Sequence, residues 1–289
     1  MRKLLLLSML CPVIAVSQQR FHVTLFGGLS NYAGDLQDHQ FTLQQSNFAF
    51  GAGIKYDFTP HLALRLAFNH GKIEGDDKKS SDPMLRARNL SFASKITEGS
   101  LLLEYTFLNM EDRKISPYVY SGLTVFHYNP YAFDTLGNKV FLKPLSTEGQ
   151  GLDADRKSYN LTQFAIPAGI GVKFRITDNT VLAYEVSVRK TFTDYLDDVS
   201  TTYFDQFALA QQRGLKAVEM AYRGDEVKGS SATYPEHGSV RGGAKYKDWY
   251  YFTGFTLYIG IGSGKGGGGG SFGRGSRGGR NQLGCPKVL

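Results

Sequence analysis

Residues 164–176 read FAIPAGIGVKFRI, and their strict alternation decides the fold. Apolar side chains occupy the even positions: Phe164, Ile166, Ala168, Ile170, Val172, Phe174 and Ile176. Small or charged residues occupy most of the odd positions: Ala165, Pro167, Gly169, Gly171, Lys173 and Arg175. Successive side chains on a β-strand point to opposite sides. The pattern therefore predicts a strand with one apolar face and one face of small and charged residues.

Alternation of this kind recurs along the chain. It predicts eight strands, at 22–31, 47–58, 62–73, 90–107, 117–128, 163–176, 180–192 and 248–261. Segment 90–107 is less regular, because Phe92 and Ile96 have the opposite parity to Leu101 and Leu103. A β-bulge would restore the alternation. A strand that protrudes beyond the bilayer would also account for it.

Two kinds of closed barrel could hold these strands. A soluble barrel of the lipocalin type would turn its large apolar residues inward. In a membrane barrel they face lipid, and closure pairs every backbone N–H and C=O without water. The polar faces here carry small residues and charges of both signs, among them Lys55, Asp57, Arg65, Glu104, Lys173, Arg175, Glu185 and Arg189. Eight strands leave interior room only for side chains. We therefore expect an all-β, eight-stranded antiparallel transmembrane barrel of the outer-membrane type, with its lumen filled by paired charges.

The connections between the predicted strands fall into two classes. Those after the second, fourth and sixth strands are short, whereas the others are longer, and the last runs over 193–247. Outer-membrane barrels have short periplasmic turns and long external loops. The pattern therefore predicts both chain termini in the periplasm. Aromatic residues near the predicted strand ends, such as Tyr118, Tyr128 and Trp249, suit interfacial girdles.

The long loop at 193–247 contains a predicted helix over residues 205–223. Phe207, Leu209, Leu215 and Val218 contribute to a broken apolar stripe, and Gly214 lies in its middle. One interpretation is a lid packed over the barrel mouth. Another is a docking surface for a partner outside the bilayer. Long loops are usually either functional or without fixed structure, so both interpretations stay open.

The two ends of the chain differ from its body. Residues 1–17 have a charged start, an apolar run and a small-residue site, which predicts a signal peptide cleaved after Ser17. The barrel is predicted over 18–262. Residues 263–289 are rich in glycine and arginine, which predicts a flexible periplasmic tail. No later segment approaches 18 uninterrupted apolar residues, so we expect no transmembrane helix.

The net charge of +7 is unevenly distributed. Of the 33 lysines and arginines, two lie in the first three residues and five in the last 27, while all 26 acidic residues lie between. The body is therefore neutral and the tail carries the excess, which argues against a nucleic-acid-binding protein. After the predicted cleavage Cys285 is the remaining cysteine. A lone cysteine in an exported protein suggests an intermolecular disulfide or a free thiol.

Candidate catalytic residues are few. His127 lies near the outer end of the fifth predicted strand, but no His-x-Ser pair lies on one strand face, and His70 is expected at the membrane interface. Asp197 and Asp198 resemble an acid pair, but adjacent loop acids are commonly solvated or bonded to backbone N–H groups. With Asp194 they could ligate calcium, although the spacing is not that of an EF-hand. We expect neither catalysis, nor a metal, nor a cofactor.

Several motifs resemble those of one family. They are NYAGDL (31–36), TDYLDDVSTTY (193–203), LAQQRGLKAVEMAYRGDE (209–226), DWYYFTGFTLYI (248–259) and the ending CPKVL (285–289). Together they resemble the PorG-like outer-membrane barrels of the type IX secretion system, which are found in the Bacteroidetes. The resemblance spans nearly the whole chain after the signal peptide.

The resemblance implies a non-enzymatic barrel that anchors a periplasmic ring, made of a lipoprotein and its ring partner, in the protein secretion and gliding machinery. The predicted partner-binding residues then lie in the tail: Arg274, Arg277, Arg280, Cys285 and Lys287. A disulfide from Cys285 to the ring lipoprotein is a hypothesis. The alternative is a passive or adhesive barrel that binds a surface partner through its external loops.

Overall fold

The computed structural model of this chain describes residues 21–37, 44–229, 233–243, 245 and 247–261. The predicted signal peptide, residues 1–17, and the predicted tail, residues 263–289, lie outside them. The strands are β1 (Phe21–Ala33), β2 (Asn47–Asp57), β3 (Leu62–Asp76), β4 (Ser91–Thr106), β5 (Ile115–His127), β6 (Tyr131–Phe133), β7 (Lys139–Phe141), β8 (Thr162–Thr177), β9 (Thr180–Thr191) and β10 (Trp249–Ile261). The α-helices are α1 (Pro83–Arg88), α2 (Gln206–Arg213) and α3 (Leu215–Ala221).

Eight of these strands form a closed antiparallel barrel in the order β1-β2-β3-β4-β5-β8-β9-β10. β10 pairs with β1 from Phe21↔Ile261 to Ala33↔Trp249, and this pairing closes the sheet. All eight predicted strands are present, and their ends differ from the predicted ones by at most three residues. The predicted eight-stranded antiparallel barrel is therefore confirmed.

The structure also contains elements that the alternation did not indicate. β6 and β7 form a small hairpin that extends the sheet beyond the barrel wall, where Tyr131 pairs with Ala93 of β4. The predicted helix over 205–223 is two helices, because Gly214 between α2 and α3 has φ of 86°. An L-residue rarely adopts this backbone conformation, so glycine ends α2 here.

The irregular fourth strand has a simple explanation. The register between β3 and β4 is unbroken from Leu62↔Tyr105 to Asp76↔Ser91, so the bulge hypothesis is wrong. Phe92 and Ile96 point inward and are buried in an apolar core above the barrel. β4 therefore protrudes from the barrel, and its inner face becomes apolar where the lumen ends.

The outer wall of the barrel is a continuous apolar surface. Exposed apolar side chains on every barrel strand contribute to it, among them Leu25, Phe50, Phe68, Leu101, Leu123, Phe164, Ile170, Tyr184 and Phe255. An exposed apolar area of this extent marks a surface that contacts lipid or another protein. Combined with closure, which leaves no unpaired strand edge in the wall, it defines a transmembrane barrel. Within the described residues, no helix has the length and hydrophobicity required to cross a membrane.

The lumen is filled by charged side chains. Lys173 donates to Glu104 and to Thr106, and Arg65 lies 3.8 Å from the same Glu104 carboxylate. Arg65 also donates to Glu185 at 3.1 Å. These side chains are nearly inaccessible to solvent. A buried charge needs a partner at this distance, because removal from water costs several kcal/mol per ion in real proteins.

A second charged group lies nearer the end with long loops. Arg189 donates to Glu98 at 2.7 Å, and Glu98 also accepts from Asn69 at 2.9 Å and from the hydroxyl of Tyr250 at 2.7 Å. At the opposite end, His22 lies 2.6 Å from Asp57. Ion pairs and hydrogen bonds thus extend along the lumen from one end to the other.

Aromatic rings complete the filling. Tyr118 is buried in the lumen and Tyr128 in the core above it, so the prediction that these two belong to an interfacial girdle is wrong. Tyr118 and Tyr120 donate to Glu185 at 2.5 and 3.2 Å. The ring of Tyr120 lies against Gly169, where an added Cβ would come within 2.2 Å of the ring. A cavity of about 10 Å³ remains beside Arg65, Tyr120 and Glu185. That is at the lower limit of the space that one water molecule needs.

Replacing Glu104 with Gln should destabilise the barrel strongly. The substitution leaves Lys173 and Arg65 buried near a neutral amide, and breaking a buried ion pair typically costs about 3–5 kcal/mol. Urea unfolding in detergent or lipid vesicles, followed by the shift in gel mobility of the folded barrel, measures this. Asp178→Asn is the matched control, since Asp178 is fully exposed at a turn. Equal stability of Glu104→Gln and the control would contradict the filled-lumen interpretation.

Candidate functional site: a loop cap over a filled barrel

The four long connections pack together at one end of the barrel. They cover residues 34–46, 77–90, 128–161 and 192–248, and their described parts are here called the cap. Its apolar core joins cap residues to the strand ends beneath and includes Tyr32, Leu36, Ile73, Leu90, Phe92, Phe126, Tyr128, Leu142, Tyr159, Leu196, Met220 and Phe252. The cap is therefore a packed structure that closes the barrel mouth, as the lid interpretation predicted.

Glu148 is the main polar centre of the cap. Its carboxylate accepts hydrogen bonds from the backbone N–H groups of Ser200 and Thr201, at 2.9 and 3.0 Å. It also accepts from Arg241 at 3.0 Å and from the hydroxyl of Thr201 at 2.7 Å. Arg241 donates in addition to the carbonyl oxygen of Asp198 at 2.7 Å. One buried ion pair thus joins the third and fourth long connections.

A second arginine joins the other connections. Arg88 forms an ion pair with Asp77 at 2.8 Å, within the connection between β3 and β4. Its guanidinium also donates to the carbonyl oxygens of Asp35 and Arg241, at 2.9 and 2.6 Å. Arg88 therefore contacts three of the four long connections at once. Its five N–H groups make arginine well suited to this role.

Asp197 and Asp198 are buried within the cap and face different partners. Asp197 accepts from the hydroxyl of Tyr32 and from a backbone N–H. Asp198 accepts from Thr147 and from the hydroxyl of Tyr159, at 2.7 Å for the latter. The expectation of solvated acids is wrong, while the expected backbone bonding holds for Asp197. Each carboxylate accepts bonds within the protein, so neither has the geometry of a solvent-facing catalytic acid pair.

Several of these carboxyl groups have raised pKa values. Burial raises the pKa of Asp198 and of Asp194 to about 6 in each case, against the opposing effects of Arg241 on Asp198 and of Ser200 on Asp194. Burial raises the pKa of Asp197 and of Asp248 well above the usual range, and repulsion from Asp35 adds to the shift of Asp197 as repulsion from Asp197 adds to that of Asp248. Because burial disfavours their charged forms, these acids weaken the cap when they ionise.

The other candidates lie elsewhere. His127 is exposed on the outer wall, where its Nδ1 lies 3.0 Å from the hydroxyl of Thr162. His70 also faces outward and lies 2.8 Å from Thr97. Within the described residues neither ring has a carboxylate partner, so neither His–Thr contact has the third member of a catalytic triad. In the described part of the chain, His, Cys, Asp and Glu side chains form no group of three or more that could hold a metal ion.

The two helices of the cap have one buried and one exposed side. Leu209 of α2 and Ala217 of α3 are fully buried against the cap. Phe207 and Leu215 are 81% and 80% exposed. The helices therefore serve as a lid on one side. Their exposed apolar residues keep the docking interpretation open.

Some predicted site residues cannot be placed. Arg274, Arg277, Arg280, Cys285 and Lys287, the predicted partner-binding residues, lie outside the described residues. Conversely, sequence reasoning missed Arg88, Glu148 and Arg241, which hold the cap together. Glu148 and Arg241 are 93 positions apart, and no local motif connects them.

The geometry defines a class of protein: a transmembrane β-barrel with a filled lumen and a packed loop cap. The chain belongs to the DUF6089 family, described as a domain of unknown function, whose profile matches residues 1–213. Among curated proteins none matches the chain.

Several solved structures match this chain over nearly their whole length, at low structural similarity. Neisserial surface protein A has a TM-score of 0.43 and 9% identity over 85% of this chain and 99% of its own. OprG of Pseudomonas aeruginosa has a TM-score of 0.39 and 10% identity over 85% and 99%. Ail of Yersinia pestis has a TM-score of 0.37 and 10% identity over 83% and 98%. Similarity at this level says nothing of function, and the architecture rests on the strand pairings above.

The cap should be more stable at pH 5 than at pH 8. Asp194 and Asp198 bind protons near pH 6 in the folded cap, whereas unfolded aspartates bind them near pH 4. The folded state therefore takes up more protons as the pH falls through 6, and its stability rises by about 1–3 kcal/mol. Hydrogen exchange of amides in 194–204, corrected for the intrinsic pH dependence, measures this.

The double variant Asp194→Asn, Asp198→Asn is the matched control for the pH experiment. It should lose much of the pH dependence, because amides do not titrate. Equal or greater protection of the wild-type cap at pH 8 would contradict the assignment of these two carboxyl groups.

Proposed function

We propose that this protein is a non-enzymatic barrel of the bacterial outer membrane that anchors or organises the periplasmic ring of the type IX secretion and gliding machinery. The observation that carries the proposal is a barrel whose first strand begins, and whose last strand ends, at the side opposite the cap. The filled lumen agrees with an anchor, since paired charges occupy the space a conduit would need.

The two ends of the barrel have different character. Phe21 and Ile261 pair with each other at the end that also holds the short connections 58–61, 107–114 and 178–179. Short connections of outer-membrane barrels face the periplasm. This supports a tail that begins in the periplasm, where a ring complex could bind it.

Charge supports the tail as the binding segment. The sequence between the predicted signal peptide and tail is neutral, whereas the tail has five basic residues and no acidic one. A cationic segment attracts an acidic partner over a distance set by the ionic strength. The proposed partners are the ring lipoprotein and its ring partner. The proposed contact residues are Arg274, Arg277, Arg280, Cys285 and Lys287.

The alternative is a passive or adhesive barrel that binds a surface partner through the cap. One observation favours it: Phe207 and Leu215 expose apolar side chains on the cap helices. Contiguous exposed apolar patches are typical of interaction sites, and the adhesive alternative requires these two side chains to form one. The two proposals differ in the end of the barrel that binds the partner.

Deleting residues 263–289 should abolish recovery of the ring lipoprotein with the barrel after crosslinking and extraction in mild detergent. The expected loss reflects removal of the whole cationic segment. A full-length variant without four of the tail's positive charges should recover less ring lipoprotein and show a weaker salt dependence, because the tail keeps its length. Its substitutions are Arg274→Gln, Arg277→Gln, Arg280→Gln and Lys287→Gln. The cap variant Phe207→Ser, Leu215→Ser is the matched control and should bind normally. The reverse result would favour the adhesive alternative.

Cys285→Ser tests the disulfide hypothesis separately. Wild-type membranes run on a non-reducing gel should give a band of higher mass that contains the barrel and the ring lipoprotein. A reductant or Cys285→Ser should remove that band, because an intermolecular disulfide needs this thiol. Identical migration of wild type and variant would exclude the disulfide and leave the rest of the proposal in place.

A further inference from the structure

A polar strip lies on the outer wall directly above the apolar band. Along β3 the outward positions pass from Leu66 and Phe68, which are 52% and 55% exposed, to His70 and Lys72. The register places His70 opposite Thr97 of β4, and Thr97 opposite His127 of β5. On these three strands this row is the first outward one in which every residue is polar. It therefore lies at the level where lipid tails give way to headgroups.

Two lysines stand side by side above this row. Lys72 of β3 pairs directly with Lys95 of β4 in the sheet register. Like charges directly opposite each other on a sheet face are destabilising. Lys72 has a neighbouring acid, since its Nζ lies 2.6 Å from Glu74. Lys95 is exposed, and the described residues give it no ion-pair partner. The pair thus retains positive charge that the protein does not neutralise.

The two histidines beneath the lysines are held in place. The Nδ1 atoms of His70 and His127 lie 2.8 and 3.0 Å from the hydroxyls of Thr97 and Thr162. Where a threonine hydroxyl donates to Nδ1, the ring carries its proton on Nε2. Each ring can then donate outward from a fixed position. Four nitrogen groups from three adjacent strands therefore lie in two successive rows of the outer wall.

We propose that Lys72, Lys95, His70 and His127 bind the phosphate of an anionic lipid headgroup. This inference rests on the proposed membrane location. A lipid suits the site better than a free anion, because the apolar wall continues directly below it, at Phe68, Val125 and Phe164. A lipid can place its phosphate at the lysines and its acyl chain along that wall. Basic residues at a membrane surface are attracted to anionic lipids.

The chain offers a matched control on the same wall. Lys190 of β9 is also exposed on the outer wall, where it pairs with Ile166 on one side and Trp249 on the other. It stands alone, without a second lysine or a histidine opposite it. A variant at Lys190 removes the same charge from a lipid-facing position and leaves the proposed site intact.

The test uses the full chain in vesicles of phosphatidylcholine that contain a minority of spin-labelled lipid, either phosphatidylglycerol or phosphatidylcholine. Wild-type protein should select the anionic label. Lys72→Gln, Lys95→Gln should lower this selectivity roughly tenfold, because each basic residue near the surface attracts an anionic headgroup several-fold. His70→Gln, His127→Gln should lower it less, and Lys190→Gln should lower it little. Gel mobility of the folded barrel checks that each variant is intact.

The possible outcomes distinguish failure of the headgroup site from failure of the membrane location. If the protein inserts but wild type and Lys72→Gln, Lys95→Gln select lipids equally, the headgroup site is wrong and the membrane location stands. If inorganic phosphate in solution abolishes the selectivity at constant ionic strength, the site takes a free anion and the lipid assignment is wrong. If the protein does not insert at all, both ideas fail.

Discussion

The pairing of β1 with β10 is the constraint on which the rest of the structure depends. It extends from Phe21↔Ile261 to Ala33↔Trp249 and removes both free edges of the eight-stranded sheet. In hydrocarbon each unpaired backbone group would cost several kcal/mol. With the edges paired, the outer wall can present Leu, Ile and Phe to lipid. Without closure, the same wall would border two rows of unsatisfied N–H and C=O groups.

Closure also determines what the interior can contain. Eight strands leave a space that side chains fill, so each inward residue meets another across the lumen. Glu104 accordingly lies among Lys173, Lys55 and Arg65, and Glu98 lies against Arg189. Such buried pairs stabilise little compared with apolar packing, but removing one partner is costly. The network therefore fixes which residues face each other, and it leaves the surfaces at the two ends for binding.

The barrel could be predicted from the sequence because residues close together in the chain determine each of its strands. Alternation at every second residue, as in 164–176, predicts the faces of a strand whatever its partners are. The cap has no such period. Glu148 and Arg241 meet only after the loops fold, and Phe92 appears irregular only because its inner neighbours are cap residues. The hairpin of β6 and β7, and the division of the helix at Gly214, likewise depend on contacts or backbone angles with no repeating pattern.

The same network limits communication between the two ends. A signal passing from the cap to the opposite end would need an element with two arrangements. The lumen residues that could form such an element are held by ion pairs, such as Arg65 with Glu185 and Arg189 with Glu98. The cavity that remains beside them has a volume of only about 10 Å³. A side chain that changed partner would leave a buried charge unpaired, which costs several kcal/mol. Binding of a partner at the end with the short connections should therefore be independent of any partner bound to the cap.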